Sequence, residues 1–215
     1  MPLTVPMPAR PWLPFGGALL VMLWSVVRPH DYPTWWLEAI PALIGLPVVW
    51  WLWPRFAWSR LAVWMMALHA CILLVGAHYT YAQVPLGFWV QDALGLARNH
   101  YDRLGHLAQG AIPAILAREV LARRTHLRGG WLGFLTTCFC LALSALYELI
   151  EWWTAVALGA GADAFLATQG DPWDTQWDMF CALIGSVASQ FLFYRCHNRQ
   201  LAELANTDLD SLETT

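Results

Sequence analysis

The chain has 215 residues, 58% of them apolar and only 13% charged, with a mean hydropathy of +0.44. A soluble domain carries about 25% charged residues, so lipid is the expected solvent for most of this sequence. The net charge is only −3, and no basic run offers a footprint for nucleic acid. The Lys+Arg count of 12 is all arginine. Cys71, Cys138, Cys140, Cys181 and Cys196 form no CxxC pair and mostly lie in apolar stretches, as small core residues do.

Taken in order, residues 1–10 are Pro-rich. An apolar run over 12–27 follows, with no small-x-small cleavage site before Arg28, and reads as an uncleaved first span. A second span covers 36–53 and carries Pro41 and Pro47, which membrane helices tolerate where neighbours satisfy the freed carbonyls. The third covers 61–82. Residues 83–100 are broken by Pro85 and Gly87; Phe88, Trp89, Val90, Leu94 and Leu96 suit a piece lying on the membrane interface. Spans four and five cover 102–121, with Pro113, and 131–158, which exceeds the roughly 20 residues a bilayer needs. A Gly/Ala/Asp loop over 159–172 leads to a sixth span at 173–196. The fold class is therefore all-α: a polytopic bundle of about six transmembrane helices in a single domain over 1–200, with a polar, disordered tail at 201–215. Trp35, Trp36, Trp53, Trp58, Trp131, Trp152, Trp153 and Trp173 sit near span ends, where indoles anchor in the headgroup layer.

Arginine placement sets the orientation. Arg10, Arg55, Arg60, Arg118, Arg123, Arg124, Arg128, Arg195 and Arg199 fall on one side of six spans, and only Arg28, Arg98 and Arg103 on the other. By the positive-inside bias both termini are cytoplasmic. Acids gather at the opposite face: Asp31, Glu38, Asp92, Asp102, Glu148, Glu151, Asp163, Asp171, Asp174 and Asp178.

Three of these acidic sets lie on helix faces that can meet. Asp102 and His106 are four apart at the start of span four, Glu148 and Glu151 three apart at the end of span five, and Asp171, Asp174 and Asp178 straddle the start of span six. An Asp at mid-membrane costs about 2.5–3.5 kcal/mol on insertion scales. So many carboxylates cannot ionise together unless cations compensate. Arg98 and Arg103 offset part of the charge; Arg103, adjacent to Asp102, points about 100° away from it on the helix and is placed to snorkel outward. The balance comes either from a divalent metal ion (Zn, Mn, Mg or Ca) on Asp102, His106, Glu151, Asp171, Asp174 and Asp178, or from protons in a water-filled polar cluster. Plainer roles compete. Asp102 and Asp174 can be helix caps, and His106 a satisfied interior histidine. Glu148 and Glu151 have no such role, because the macrodipole opposes a carboxylate near a helix C-terminus. Asn99, His100, Gln109, Tyr147 and Gln176 are candidate supporting donors, and His78 a peripheral candidate. The chain carries no HExxH, GxSxG or Walker pattern.

The runs PLGFWVQDALGLARNHYDRLGHLAQG, YELIEWW and ATQGDPWDTQWDM resemble the YjdF-type bacterial inner-membrane proteins over about residues 35–199. The wider pattern of Asp102, His106, Glu148, Glu151, Asp174, Asp178 and Gly185 is similar to VanZ-like membrane proteins. It departs from them at Glu151, where Gln is frequent, at Arg103, where Lys is common, and in lacking an Asn after the last Asp. The resemblance implies a multi-pass inner (plasma) membrane protein of a family without an assigned reaction, and an envelope role.

Three functions then compete. A metal-dependent hydrolase or transferase would act on a lipid or lipid-linked envelope substrate, with Glu148 or Glu151 as general base and His106 beside the metal. A small transporter would use the same acids to bind protons or ions. A scaffold would use them only to hold helices together.

Overall fold

A computed structural model describes residues 10–159 and 168–213, with side chains apart from 158 and 207–213. The described residues are helical and contain no strand. Seven helices follow one another: α1 (Trp12–Ser25), α2 (Tyr32–Leu52), α3 (Arg60–Tyr79), α4 (Pro85–Leu94), α5 (Tyr101–Arg124), α6 (Gly129–Leu158) and α7 (Asp174–Glu213), with a short 3-10 turn at Tyr81–Gln83. Four helices are long and apolar enough to cross a membrane: Tyr32–Leu52, Arg60–Tyr79, Gly129–Ala157 and Asp174–Asn206. The 14-residue α1 is apolar but short. The expected fifth and sixth spans thus match α6 and α7. α7 continues past residue 200, where the polar tail was expected, to Glu213. Residues 160–167 of the expected loop, including Asp163, lie outside the described residues.

Local chemistry sets the boundaries. Asp31 accepts from the Thr34 amide to cap α2, Pro33 occupies its first turn, and Ser59 caps α3. α2 runs unbroken through Pro41 and Pro47, and α5 through Pro113. α4 begins on a proline and stops at Gly95, whose left-handed conformation (φ 63°) ends a helix at low steric cost. Its Leu86, Phe88, Trp89, Val90 and Leu94 are exposed, as an interfacial helix requires.

α5 is the central helix. It packs most extensively on α7, and also on α6 and α3. Its buried side includes Asp102, His106, Arg118 and Glu119. Protein rather than lipid covers these groups, so this span can be polar. Lipid tails are as apolar as leucine, so helix association in a membrane relies on close packing and polar bonds. Both occur between α5 and α7. A Cβ on Gly110 would stand 1.9 Å from the Ala182 carbonyl oxygen, and one on Gly185 would stand 2.1 Å from that of Leu107. The two backbones therefore touch, and this fixes which residues face each other above and below the contact. On the other side, a small-residue seam of Ala18, Ala39, Ala42, Ala67, Ala70 and Ala77 joins α1, α2 and α3.

Most of the tryptophans expected at the interface are exposed, among them Trp36, Trp131, Trp152, Trp153 and Trp173. Trp35 and Trp53 are buried instead. The Trp35 indole donates to Ser25 Oγ at 2.8 Å, and that hydroxyl donates to the Leu74 carbonyl at 2.6 Å, tying α1 and α2 to α3. Sequence position alone cannot tell which side of a helix end an indole faces.

Gly110→Ala should lower the unfolding temperature in detergent by an amount equivalent to about 1–3 kcal/mol, because the added methyl meets backbone. Gly45 faces open space, so Gly45→Ala should leave it unchanged or raise it slightly. Thermal unfolding followed by tryptophan fluorescence compares the two.

Candidate functional site

At the acid-rich end, one turn beyond the Gly110–Ala182 contact, α5 presents Asp102 and His106 and α7 presents Asp178. The three residues are buried, and one ligand atom from each lies within 4.8 Å of the other two. Both helices reuse one spacing: 102, 106 and 110 on α5 face 174, 178 and 182 on α7, so a shared four-residue step carries each from acid to backbone contact. His106 Nε2 stands 3.6 Å from Asp102 Oδ1. Its Nδ1 lies 2.9 Å from Gln109 Oε1 and 3.7 Å from Glu148 Oε1. With the amide oxygen accepting from Nδ1–H, the Nε2 lone pair is left facing Asp102, the tautomer a metal ligand needs. The Tyr147 ring packs edge-on against His106 at 6.2 Å.

Two oxygens here have no partner although buried: Asp178 Oδ1 and Glu148 Oε1. An unsatisfied buried carboxylate oxygen is costly in a membrane interior. Glu151, three residues along α6, is half-buried; it lies within electrostatic reach of Glu148, Asp102, Asp178 and Asp174 but outside the three-residue cluster. Glu38 on α2 is a further member that the sequence reading placed at this face but not in the site. It is 1% exposed, both its oxygens lack partners, and it acts electrostatically on Asp102. Its signal was a lone carboxylate inside an otherwise apolar span.

Asp171 and Asp174, read from sequence as metal ligands, lie on arginines. Arg98 Nη2 meets Asp174 Oδ1 at 2.5 Å, and Arg103 Nη2 meets Asp171 Oδ2 at 2.6 Å. Arg103 also holds its guanidinium 5.1 Å over the Trp177 ring. Arg98 also donates to the Thr168 carbonyl, and the Gln169 side chain bonds the Asn99 backbone at both its nitrogen and its oxygen. Together these contacts strap residues 168–174 over the start of α5. The Trp173 amide, then Arg103 and Arg98, hold the Asp171 carboxyl below the usual aspartate range. Burial and the two arginines push the His100 imidazole down, which favours the neutral ring. Of the expected supporting donors, Asn99 braces the loop by bonding the Val84 carbonyl and the Tyr101 amide, Gln176 is exposed, and His78 bonds the Ser25 carbonyl and stacks on Trp24 away from the site.

The opposite end holds a second polar cluster that the sequence reading missed. Glu119 on α5 accepts from the Ser59 amide (2.9 Å), Ser59 Oγ (2.6 Å) and Arg123 (3.0 Å), and pairs with His197 Nε2 at 3.2 Å. Arg118 contacts His197 Nδ1 at 3.0 Å and Asn198 Oδ1 at 2.6 Å. Each carboxylate oxygen of Glu119 has a partner, so this cluster is a tie between α3, α5 and α7. Its sequence signal was weak: Glu119 and His197 are 78 residues apart in chain order.

The family described as "Predicted membrane protein (DUF2238)" matches residues 11–199, a range containing both clusters. The inner membrane protein YjdF of Escherichia coli (strain K12) is 49% identical over 183 residues, which span 85% of this chain and 88% of that protein. No solved structure matches the chain. These matches agree with the YjdF-type resemblance; the VanZ-like one is a likeness of motif alone.

Glu119→Ala should destabilise the protein by about 3–5 kcal/mol, because it leaves the buried Ser59 and His197 groups and the Arg123 guanidinium without their shared acceptor; detergent unfolding curves check this. For Asp171 the sign follows from its depressed value. The pairing is at full strength above the unfolded aspartate pKa near 3.8 and is lost as pH falls through the lower folded value. The stability difference between wild type and Asp171→Asn should therefore stay constant from about pH 5 upward and shrink as acid protonates the carboxylate.

Proposed function

This chain belongs to the DUF2238 family of membrane proteins and is a multi-pass inner-membrane protein, and we propose that its acid-rich end holds a divalent cation for chemistry on a lipid or lipid-linked envelope substrate. The six long or apolar helices cross the bilayer with both termini in the cytoplasm, so the site opens toward the outer face; the arginine asymmetry supports this orientation. Asp102, His106 and Asp178 are the cation's ligands. Two carboxylates and an imidazole suit Zn, Mn or Mg more than a thiolate-seeking metal. The observation that carries the reading is the convergence of these three buried ligand atoms within 4.8 Å beside unpartnered oxygens of Asp178 and Glu148.

Asp102, His106 and Asp178 would hold the cation, which would supply polarisation of a phosphoryl or carbonyl oxygen and favour a water nucleophile. Glu148, 3.7 Å from His106, is positioned to take the proton that the attacking water loses and to return it to the leaving oxygen as the bond to that oxygen breaks. Gln109 fixes the His106 tautomer and so acts through it. Glu151 tunes the charge of the pocket from its edge, and Asp171 and Asp174 act through Arg103 and Arg98 rather than on the metal.

Elemental analysis of protein purified in detergent without chelator tests the reading. About one divalent ion per chain is expected, lost in Asp102→Ala and Asp178→Ala. Gln109→Ala should weaken the affinity roughly 10–100-fold, and Asp92→Ala, on the exposed face of α4, should leave it unchanged. Metal-free wild type, with the two aspartate variants differing from it only in stability, would leave the acids as a scaffold of the bundle.

A further inference from the structure

Just outside the candidate metal centre the imbalance reverses, from acceptors without donors to donors without acceptors. Arg98 Nε and Arg103 Nε are buried with no hydrogen-bond partner. Each guanidinium is engaged through its terminal nitrogens, by Asp174 and Thr168 on Arg98 and by Asp171 on Arg103, so its Nε–H is unused. The oxygens of Asp178 and Glu148 without a hydrogen-bond partner belong to the adjoining acidic cluster. Both arginines act electrostatically on Asp102, so the two sets border each other. Open donors call for an anion, and open acceptors for a cation. A phosphoryl group answers both, because its oxygens can bridge a divalent ion and a guanidinium fork at once. A monoanionic carboxylate would leave one of the two forks unmatched.

The rest of the ligand is indicated by α4. This helix is tied to the strap through Asn99, whose side-chain amide donates to the Val84 carbonyl at 3.0 Å and packs where a Cβ on Gly87 would fall. Its exposed Leu86, Phe88, Trp89 and Leu94 give the helix that Asn99 joins to the strap an uncovered apolar side, of the kind that packs on an acyl or prenyl chain at a membrane interface.

We propose that Arg98 and Arg103 bind the phosphoryl group of a phosphate-bearing membrane lipid, which replaces Asp171 and Asp174 on the two guanidiniums. The inference rests on the metal-site reading, to which it adds the substrate class. Asp171 and Asp174 occupy the anion's place until the lipid arrives, and removing a competing carboxylate should therefore strengthen binding.

The full chain in maltoside micelles, supplied with Mn²⁺, can be titrated with dioctanoyl phosphatidic acid, dioctanoylglycerol and inorganic phosphate. Tryptophan fluorescence reports binding, because the Trp177 ring lies under Arg103. Phosphatidic acid should bind at least about tenfold more tightly than either other probe, and Arg98→Gln and Arg103→Gln should each remove about tenfold of that affinity, close to 1.4 kcal/mol. Asp171→Asn retains an acceptor for the Trp173 amide but loses the charge, and should tighten phosphatidic acid binding several-fold; a purely structural role would not. Equal affinity for phosphatidic acid and dioctanoylglycerol, no effect of both arginine variants, or weaker binding by Asp171→Asn would overturn the proposal. Inorganic phosphate binding as tightly as phosphatidic acid would overturn its lipid component. Metal content measured on the same samples separates the two readings. Bound metal without lipid discrimination defeats this inference alone, and arginine-dependent lipid binding without metal defeats the metal site alone.

Discussion

The contact between α5 and α7 governs the rest of the molecule. Gly110 and Gly185 bring two backbones together where any side chain would collide with a carbonyl. In a medium that gives helices no hydrophobic reason to associate, such contact supplies dispersion energy and, more importantly, register. Once the register is fixed, residues four and eight positions toward one end meet as His106, Asp178 and Asp102, and residues toward the other end as Glu119 and His197. A single steric constraint at the middle of the pair thus positions polar chemistry at both ends.

The two ends use that positioning differently. Around Glu119, both oxygens have donors from Ser59, Arg123 or His197, and the Arg118 guanidinium bonds His197 and Asn198. Such closure turns buried charge into a tie between helices, since the desolvation of each group is offset by a bond it makes. At the acid-rich end, among the described residues, Glu38, Asp102, Glu148, Glu151, Asp171, Asp174 and Asp178 gather around Arg98, Arg103 and His106. The outermost acids take both arginines, and Glu38, Glu148 and Asp178 keep oxygens without a hydrogen-bond partner. The Glu119 carboxylate is fully bonded and these are not, and it is at this end that we propose a ligand binds.

The strap over residues 168–174 joins this site to the membrane surface. Its ion pairs are largely buried, and the Gln169 side chain holds the Asn99 backbone while Asn99 in turn bonds Val84 at the start of α4. The lipid reading proposed above places headgroup recognition on the arginines and tail contact on α4, which contributes no charged group to the cluster itself.

Much of this was legible in the chain of letters. Apolar run lengths placed the helices to within a few residues, except the end of α7, which continues through polar residues to Glu213. Four-residue spacing placed Asp102 with His106 and Asp174 with Asp178 on common faces, and the distinctive runs near residues 85–110, 147–153 and 167–179 identified the family. These are local properties, set by 3.6 residues per turn and by the thickness of a bilayer. Only the tertiary structure decided that Asp171 and Asp174 lie on arginines while Asp178 keeps an open oxygen, that Glu38 belongs with Asp102, that Trp35 bonds Ser25 inside the bundle, and that Glu119 meets His197. Each of these depends on the rotation and height of one helix against another. That register is settled by the close approach of Gly110 to Ala182 and of Gly185 to Leu107, far apart in the sequence, which no periodicity within a single helix encodes.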